Sequence, residues 1–203
     1  MWRALDEFEK YLHADSEFPL LIRLALIHYQ FEAIHPFLDG NGRIGRLLLT
    51  LLLCADGALP QPLLYLSAFF ERYREDYYRS LMAVSQRGEW MNWINFFLRG
   101  VEEQSRDAVK KSSRLLDLWQ QYRQRLQSGR ASALGLRLVD ELFAAPVITY
   151  GGAANLLGVT QRAARLNVEK LIEIGILKEA SGRRRNRIFA ATEIIGILEA
   201  REI

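Results

Sequence analysis

Residues 35–46 read HPFLDGNGRIGR and residues 47–53 read LLLTLLL, so a segment rich in charged and flexible residues directly precedes a strongly apolar one. The apolar segment has the length and composition of a buried helix, which Gly57 and Pro60 are expected to end. Glycine and asparagine tolerate positive backbone φ angles and favour a turn just before that helix. The sequence therefore predicts a loop whose polar groups meet the N-terminus of a buried helix.

The N-terminus of this helix is predicted to bind a polyphosphate. The first N–H groups of a helix have no intrahelical acceptor, and the helix dipole favours an anion beside them. Here these groups belong to Gly40, Asn41 and Gly42. Arg43 and Arg46 share one side of the first turn, where two cations are unfavourable unless an anion is bound. A structural cluster of ion pairs is the alternative explanation for the arginine pair.

Two side chains beside the predicted phosphate site suggest group-transfer chemistry. Asp39 precedes the glycine turn, where a carboxylate fits an Mg²⁺ ion shared with phosphates, although a helix cap is an alternative role. His35 follows a helix that Pro36 ends, and its imidazole can be a general base near neutral pH or a structural group. The stretch is not a Walker loop and holds no serine or cysteine, so the nucleophile has to come from the substrate. Phe37 is expected to anchor the loop in the core.

The composition is that of an ordinary globular protein in a reducing compartment. Of the 203 residues, 50% are hydrophobic and 25% are charged, and the net charge of +3 does not by itself indicate nucleic-acid binding. The single cysteine, Cys54, excludes an intrachain disulfide. The longest apolar run, residues 47–55, is too short to span a bilayer, and the N-terminus lacks the pattern of a signal peptide. We therefore expect a cytoplasmic protein with no membrane partner.

Hydrophobic periodicity predicts a mainly α chain in three parts. In residues 1–104, apolar residues at helical spacing predict helices over residues 2–14, 18–34, 42–55, 67–88 (with Ser67 as N-cap) and 89–104. Residues 105–130 are polar with a narrow apolar stripe, which is typical of a connecting helix. In residues 131–203 the predicted order is helix, short strand, short helix, longer helix capped by Thr160, two strands around a basic turn, and a closing helix. This order is that of a winged helix-turn-helix domain.

The predicted winged helix offers a second kind of function. The exposed candidates for contact with DNA or a protein partner are Gln161, Arg162, Arg165 and Asn167 on the longer helix, and Arg183, Arg184, Arg185 and Arg187 in the basic turn. Phosphate contacts from such arginines would make DNA binding depend on salt. Glu169 and Glu173 on the same helix argue against DNA. Protein docking, association into a homodimer and a plain spacer are the alternatives.

The stretch at residues 35–46 also resembles the signature of a known family, the Fic (filamentation induced by cAMP) domain. That signature is His, any residue, Phe, any residue, Asp or Glu, Gly-Asn-Gly-Arg, two residues, Arg, and every defining position fits. The segments LALIHYQFEAIHPF, PLLYLSAFFERYREDYYRSL and GEWMNWINFFLRGV are similar to those around the signature in Fic proteins with a C-terminal winged helix. The resemblance covers residues 1–110 strongly and the remainder more loosely. It implies a Fic-type helical bundle, then a linker helix and a small winged-helix domain.

The resemblance implies AMPylation, in which an adenylyl group moves from ATP to a Ser, Thr or Tyr hydroxyl of a target protein. By carry-over, His35 would be the general base and Asp39 would hold Mg²⁺. The ATP-binding residues would be Asp39, Gly40, Asn41, Gly42, Arg43, Ile44, Gly45, Arg46, Tyr77 and Tyr78. Within this set the residues of the glycine turn would form the anion hole and the arginines would hold the β- and γ-phosphates. The two tyrosines match a pair that lies near the adenosine in the family.

Two features that are usual in the family find no match in the sequence. The 34 residues before His35 contain no strand pair like the β-hairpin flap that registers a target. No stretch fits the inhibitory pattern of Ser or Thr, three residues, Glu, then Gly or Asn, whose glutamate pairs with Arg46. We therefore expect an N-terminally short fragment. Related proteins transfer phosphate or phosphocholine or remove AMP, but the kinase-like branch replaces the second glycine by lysine, so Gly42 favours nucleotidyl transfer.

Overall fold

A computed structural model describes residues 1–60, 64–128, 132–183 and 186–200. Within these ranges the chain is mainly α, as predicted, with ten helices and a small antiparallel sheet. It divides into two compact units, Met1–Ala108 and Val109–Ile203. The predicted boundaries at residues 104 and 130 stay a prediction. In the described part of the chain, no helix combines the length and the apolar character needed to cross a membrane.

Six helices begin in the first unit, and the loop between the second and the third holds the stretch at residues 35–46. Their bounds are α1 Trp2–His13, α2 Leu20–Ile34, α3 Asn41–Ala55, α4 Leu66–Arg72, α5 Arg74–Arg87 and α6 Trp90–Ser128. The segments predicted as separate helices at residues 89–104 and 105–130 are one continuous helix of 39 residues, α6.

The core of the first unit fixes α2 and α3 against each other. Leu24 and Ile27 of α2 are buried together with Leu49 of α3. Burying a side chain of this size stabilises the fold by about 1.5–3 kcal/mol. Trp93 of α6 is fully buried, and its indole N–H donates a hydrogen bond to the carbonyl oxygen of Ala25 at 2.8 Å. The loop between α2 and α3 is therefore held by two helices whose apolar faces are fixed.

The single helix predicted over residues 67–88 is in fact two helices, α4 and α5. Tyr73 separates them with non-helical φ and ψ angles of −108° and 42°, and its ring lies 4.7 Å from the guanidinium carbon of Arg99. The N-cap of α4 is Tyr65, and Ser67 lies inside the helix, so the prediction of Ser67 as N-cap was wrong. The Ser67 hydroxyl instead accepts a hydrogen bond from Nε of Arg46 in α3.

The second unit holds four helices and three short strands beyond α6. Their bounds are α7 Ala133–Ala144, β1 Val147–Thr149, α8 Tyr150–Leu157, α9 Gln161–Glu173, β2 Lys178–Glu179, β3 Ile188–Ala190 and α10 Thr192–Glu199. The strands form an antiparallel sheet in the order β1-β3-β2. Thr160 caps α9 as predicted, because its hydroxyl accepts a hydrogen bond from the Ala163 N–H at 3.3 Å. Leu138, Val168 and Phe189 lie in the core of this unit.

Candidate active site

His35 ends α2 in a left-handed backbone conformation. Its φ and ψ angles are 51° and 58°, and its N–H donates a hydrogen bond to the carbonyl oxygen of Phe31 at 3.1 Å. This conformation costs a non-glycine residue roughly 1 kcal/mol, so the surrounding structure has to hold it. The turn places the predicted general base on the wall of a cleft, beside the N-terminus of α3.

Asn41 fixes the shape of the loop from inside. Its side chain is only 2% exposed; Oδ1 accepts a hydrogen bond from the Phe37 N–H at 2.9 Å, and Nδ2 donates one to the Phe37 carbonyl oxygen at 2.6 Å. The Phe37 ring is 47% exposed, so the expectation that this ring anchors the loop in the core was wrong. The backbone of Phe37 is anchored instead, and the Asn41 amide is committed to that task.

Replacing Asn41 by alanine is expected to destabilise the protein by roughly 1–3 kcal/mol, because the substitution removes two part-buried hydrogen bonds to the backbone of Phe37. Urea unfolding of the two proteins measures the difference. The matched control is Asn92→Ala, since Asn92 is exposed and its side chain makes an exposed hydrogen bond to the Glu89 carboxylate; a change within about 0.5 kcal/mol is expected there. Equal stability of the Asn41 variant and the parent protein would contradict the bracing role.

The first turn of α3 presents backbone N–H groups without helical acceptors. Gly40, at φ 83°, is the N-cap, and the first helical bond runs from the Ile44 N–H to the Gly40 carbonyl oxygen at 3.0 Å. The N–H groups of residues 41–43 precede that bond and have no acceptor within the helix. The Gly40 N–H differs from them, because it donates to Asp39 Oδ1 at 2.6 Å.

A cleft of about 370 Å³ opens at this turn. It brings together most of the predicted site residues: His35, Asp39, Gly40, Asn41, Gly42, Arg43, Arg46, Tyr77 and Tyr78. Ile44 and Gly45 do not line it. Sequence reasoning missed five further lining residues, which are Glu32, Leu38, Phe70, Glu71 and Arg74.

The two arginines of the signature are held differently. Arg46 donates from Nε to the Ser67 hydroxyl at 3.0 Å, which fixes the base of its guanidinium group. Its Nη1 lies 3.0 Å from the position that a Cβ atom on Gly42 would take, so a larger residue there would displace the guanidinium. Arg43 is exposed and lies 3.4 Å from an Asp39 carboxylate oxygen, a contact that contributes little in water.

Asp39 is the carboxylate predicted to hold a metal ion. It is 92% exposed, and in the part of the chain that the structure describes no cluster of three or more His, Cys, Asp or Glu side chains could hold a metal ion. A single carboxylate still suits Mg²⁺ that takes its remaining ligands from substrate phosphates and water. The donor set of this cleft therefore fits a magnesium ion shared with a nucleotide.

Gly45 serves the packing of α2 against α3. It is buried, and a Cβ atom added to it would lie 2.8 Å from Glu32 Oε1 and 3.0 Å from a ring carbon of Phe31. A side chain at this position would therefore have to displace the Glu32 carboxylate and press on the Phe31 ring. The sequence did contain a signal for Glu32, since it is the single carboxylate in the mainly apolar α2.

Behind the cleft lies a buried polar pair, His28 and Tyr77. His28 is fully buried, and its Nε2 lies 2.9 Å from the Tyr77 hydroxyl. Burial lowers the pKa of His28 to about 3, so the imidazole is neutral. Burial and the nearby Glu32 charge raise the pKa of Tyr77 above its usual range. Tyr77 is thus fixed in the wall, while Tyr78 is 55% exposed at the rim, with the Arg74 guanidinium 5.8 Å above its ring.

The neutral, buried His28 predicts a loss of stability in mild acid. Between pH 6.5 and 3 the unfolded chain binds a proton at this residue and the folded chain does not, so folding weakens as pH falls. From pH 7 to pH 5 the expected contribution is about 2 kcal/mol. Denaturant unfolding at both pH values should show that His28→Gln lacks this loss.

The control for that experiment is His13→Gln, which removes an exposed histidine. It should keep the pH dependence of the parent protein. The raised pKa of the Glu32 carboxyl acts in the opposite direction at lower pH, because the folded chain takes up that proton first. The comparison of variants removes this effect, since Glu32 is present in each. If the unfolding free energy of His28→Gln fell with pH as steeply as that of the parent protein, the assignment of a neutral, buried His28 would be contradicted.

The predicted DNA or partner contacts lie in the second unit. Gln161, Arg162 and Arg183 are exposed, whereas Arg184 and Arg185 fall outside the described residues. Two other predicted contacts carry ion pairs: Arg165 lies 2.7 Å from Glu169 and Arg187 lies 3.6 Å from Glu179. Two of the six arginines that the sequence predicts for this surface are therefore paired with carboxylates.

The N-terminal residues match a known family. The sequence model of the Fic/DOC family matches residues 1–53. A protein adenylyltransferase Fic of Culex quinquefasciatus is 33% identical over 94 residues, which is 45% of this chain and 17% of the relative. A protein adenylyltransferase fic-1 of Caenorhabditis elegans is 35% identical over 89 residues, which is 44% of this chain and 15% of the relative. The chain spans less than a fifth of the length of these curated relatives.

One solved structure is similar over nearly the whole chain. It is a crystal structure of a Fic family protein from Desulfovibrio desulfuricans G20, with a TM-score of 0.50 and 22% sequence identity. The similarity covers 93% of this chain and 54% of that one. The chain thus shares the mainly α fold of a Fic family protein.

Proposed function

We propose that the chain is the catalytic part of a protein adenylyltransferase, which transfers AMP from ATP to a Ser, Thr or Tyr hydroxyl of a target protein. The observation that carries the proposal is the cleft at the N-terminus of α3, which His35, Arg43 and Arg46 line together. The Fic/DOC match at residues 1–53 and the partial similarity to proteins named adenylyltransferases support the same reaction.

In the proposed reaction the proton of the target hydroxyl passes to His35. The hydroxyl oxygen attacks the α-phosphorus in line with the leaving group, while the imidazole accepts the proton. The bond between the α-phosphorus and the oxygen bridging to the β-phosphorus breaks, and pyrophosphate leaves. His35 suits this role because it lies on the cleft wall at the end of a fixed helix.

Charge on the phosphates is stabilised by groups that are in place before ATP binds. The free N–H groups of the first turn of α3 and the helix dipole favour negative charge there. Arg46, anchored on Ser67, and Arg43 would neutralise the β- and γ-phosphates. Arg43 can turn to a phosphate at little cost, since its contact with Asp39 is long and exposed.

Asp39 would hold Mg²⁺ on the phosphate side of the cleft. When bound, the ion supplies positive charge against the phosphate oxygens and orients them. The carboxylate is ready for this role, since one oxygen accepts the Gly40 N–H and the other makes only the weak Arg43 contact. At the rim, Tyr78 and Arg74 would face the adenosine, whereas the buried Tyr77 shapes the wall.

Transfer of a different group is the first alternative. Gly42 leaves room for a phosphate against the backbone, while its missing side chain also leaves the Arg46 guanidinium in place. Both features favour nucleotidyl transfer over phosphoryl transfer by a kinase-like branch, whereas phosphocholine transfer and removal of AMP stay alternatives.

For the second unit we propose a winged-helix domain that docks a protein partner, a second copy of the chain included. The order of its helices and its three-stranded sheet support this assignment. DNA is the alternative partner, and the ion pairs of Arg165 and Arg187 count against it because phosphate binding needs free cations.

The experiment is incubation of the protein with ATP, Mg²⁺ and a cell lysate, followed by tandem mass spectrometry of the proteins. The expected result is AMP esterified to Ser, Thr or Tyr side chains, absent when the enzyme is left out. Peptides that carry phosphate or phosphocholine in place of AMP, dependent on the added protein, would contradict adenylyl transfer and support one of the other reactions.

A further inference from the structure

Glu32 is a largely buried carboxylate in the wall of the cleft, beside the phosphate site. Its side chain is 13% exposed, and Oε1 has no hydrogen-bond partner among the described residues. This oxygen lies 3.9 Å from Nε2 of His28, an imidazole that is neutral and already faces Tyr77. A buried carboxylate oxygen without a partner is costly, so its retention beside a site calls for an electrostatic role.

The positive charge that faces Glu32 is that of Arg46. The Cβ position of Gly42 lies 3.0 Å from Arg46 Nη1 and 3.8 Å from Glu32 Oε1, so both charged groups approach the same glycine without a direct ion pair between them. Among the causes that act on the Glu32 carboxyl, burial raises its pKa, and the charges of Arg46 and His35 and a hydrogen bond from the Tyr77 hydroxyl lower it. Arg46 is thus held at Nε by the Ser67 hydroxyl and flanked near Nη1 by the Glu32 carboxylate.

We infer that Glu32 is a positioning residue, whose carboxylate holds the Arg46 guanidinium over Gly42 in the geometry that a polyphosphate meets. A negative charge is needed at Glu32 because of where Arg46 lies. A cation at the N-terminus of α3 is repelled by the helix dipole, and before a nucleotide binds Glu32 supplies the opposite charge. The inference rests on the proposed function only for its consequence in ATP binding, not for the arrangement itself.

The direction in which Glu32→Gln changes phosphate binding distinguishes the positioning of Arg46 from a purely electrostatic effect of the Glu32 charge on the phosphates. Glu32→Gln keeps the size of the side chain and removes one negative charge close to a phosphate site. If that charge acted only through space, its loss would strengthen phosphate binding. If the charge positions Arg46, its loss weakens binding, because the guanidinium is no longer preorganised.

The first measurement uses the free protein and needs no nucleotide. The ¹⁵N–¹H signal of Arg46 Nε, assigned by its absence from Arg46→Lys, reports the hydrogen bond to Ser67. In Glu32→Gln this signal is expected to be lost through solvent exchange. The control is Glu71→Gln, which removes a carboxylate from the exposed rim of the same cleft and should keep the signal. A signal that persists in Glu32→Gln overturns the inference, whether or not the protein binds ATP.

The second measurement is calorimetry with ATP and Mg²⁺. Glu32→Gln is expected to bind roughly tenfold more weakly, whereas Glu71→Gln binds at least as tightly as the parent. In an Arg46→Ala background Glu32→Gln should change little, since the two residues act as one unit. Tighter binding by Glu32→Gln, or additive losses in the double variant, overturns the inference. If the parent protein does not bind ATP, the proposed function fails and the Nε signal still decides the role of Glu32.

A third measurement does not depend on the folding of a Glu32 variant. In Arg46→Ala, the ¹³C carboxyl resonance of Glu32 is expected to titrate at a higher pH than in the parent, because the facing cation is gone. The other titratable groups around this carboxylate, His28, His35 and Tyr77, are the same in both proteins. An unchanged titration midpoint would show that the two charges do not interact and overturns the inference.

Discussion

Replacement of His35 by alanine is expected to lower the rate of adenylyl transfer by about 10²–10⁴-fold, the usual contribution of a positioned general base. The affinity for ATP and Mg²⁺ should stay unchanged, because the phosphate contacts assigned to α3 do not involve the imidazole. Single-turnover kinetics with labelled ATP measure the first quantity and calorimetry measures the second.

A fall in the transfer rate without a change in ATP affinity is what identifies His35 as a general base. A histidine that served only to shape the loop would change both quantities together, since the Asn41 brace and the first turn of α3 follow directly in the chain. The matched control is His13→Ala, an exposed histidine in α1, which should transfer AMP at the parental rate. Transfer by His35→Ala at the rate of the parent would show that another group accepts the proton.

Replacement of Arg46 by alanine is expected to weaken ATP binding by about 10–100-fold, because a charge-assisted hydrogen bond to phosphate contributes about 1.5–3 kcal/mol. Arg46 is the arginine whose Nε is already fixed, by Ser67, so little conformational freedom is lost when a phosphate binds. Arg43→Ala should weaken ATP binding less, since Arg43 is exposed and its contact with Asp39 is weak.

The control for the arginine experiment is Arg79→Ala, which removes an exposed cation that pairs with Asp76 on α5 at 3.0 Å. Both variants lower the net charge equally, so a loss found only in Arg46→Ala is local to the cleft. Raising the salt concentration should weaken ATP binding by the parent protein more than ATP binding by the Arg46 variant. Equal affinity of the Arg46 variant and the parent would contradict the assignment of this residue to the phosphates.

The sequence predicted the part of the site that depends on neighbouring residues. The turn at Gly40, the start of α3 and the shared position of Arg43 and Arg46 on the cleft follow from local rules of helix geometry and charge. The mainly α fold was predicted for the same reason, because helical periodicity is a local signal.

The parts that sequence reasoning missed depend on contacts between elements. Asn41 has the same local properties whether its amide faces a ligand or the loop, and only the packed structure shows that it bonds Phe37. The break at Tyr73 is accompanied by its contact with Arg99 of a different helix. Glu32 belongs to no recognised motif, and its place behind Gly42 follows from the close approach of α2 and α3.

The most direct test of the central claim is which phosphorus atom of ATP reaches the acceptor protein. Two parallel incubations with a lysate would use ATP labelled at the α-phosphate and ATP labelled at the γ-phosphate. After subtraction of the label found in lysate without the protein, we expect protein-bound label from the α-phosphate only, and the loss of that label in His35→Ala. Protein-bound label from the γ-phosphate and none from the α-phosphate would contradict it, because the cleft would then transfer phosphate rather than AMP.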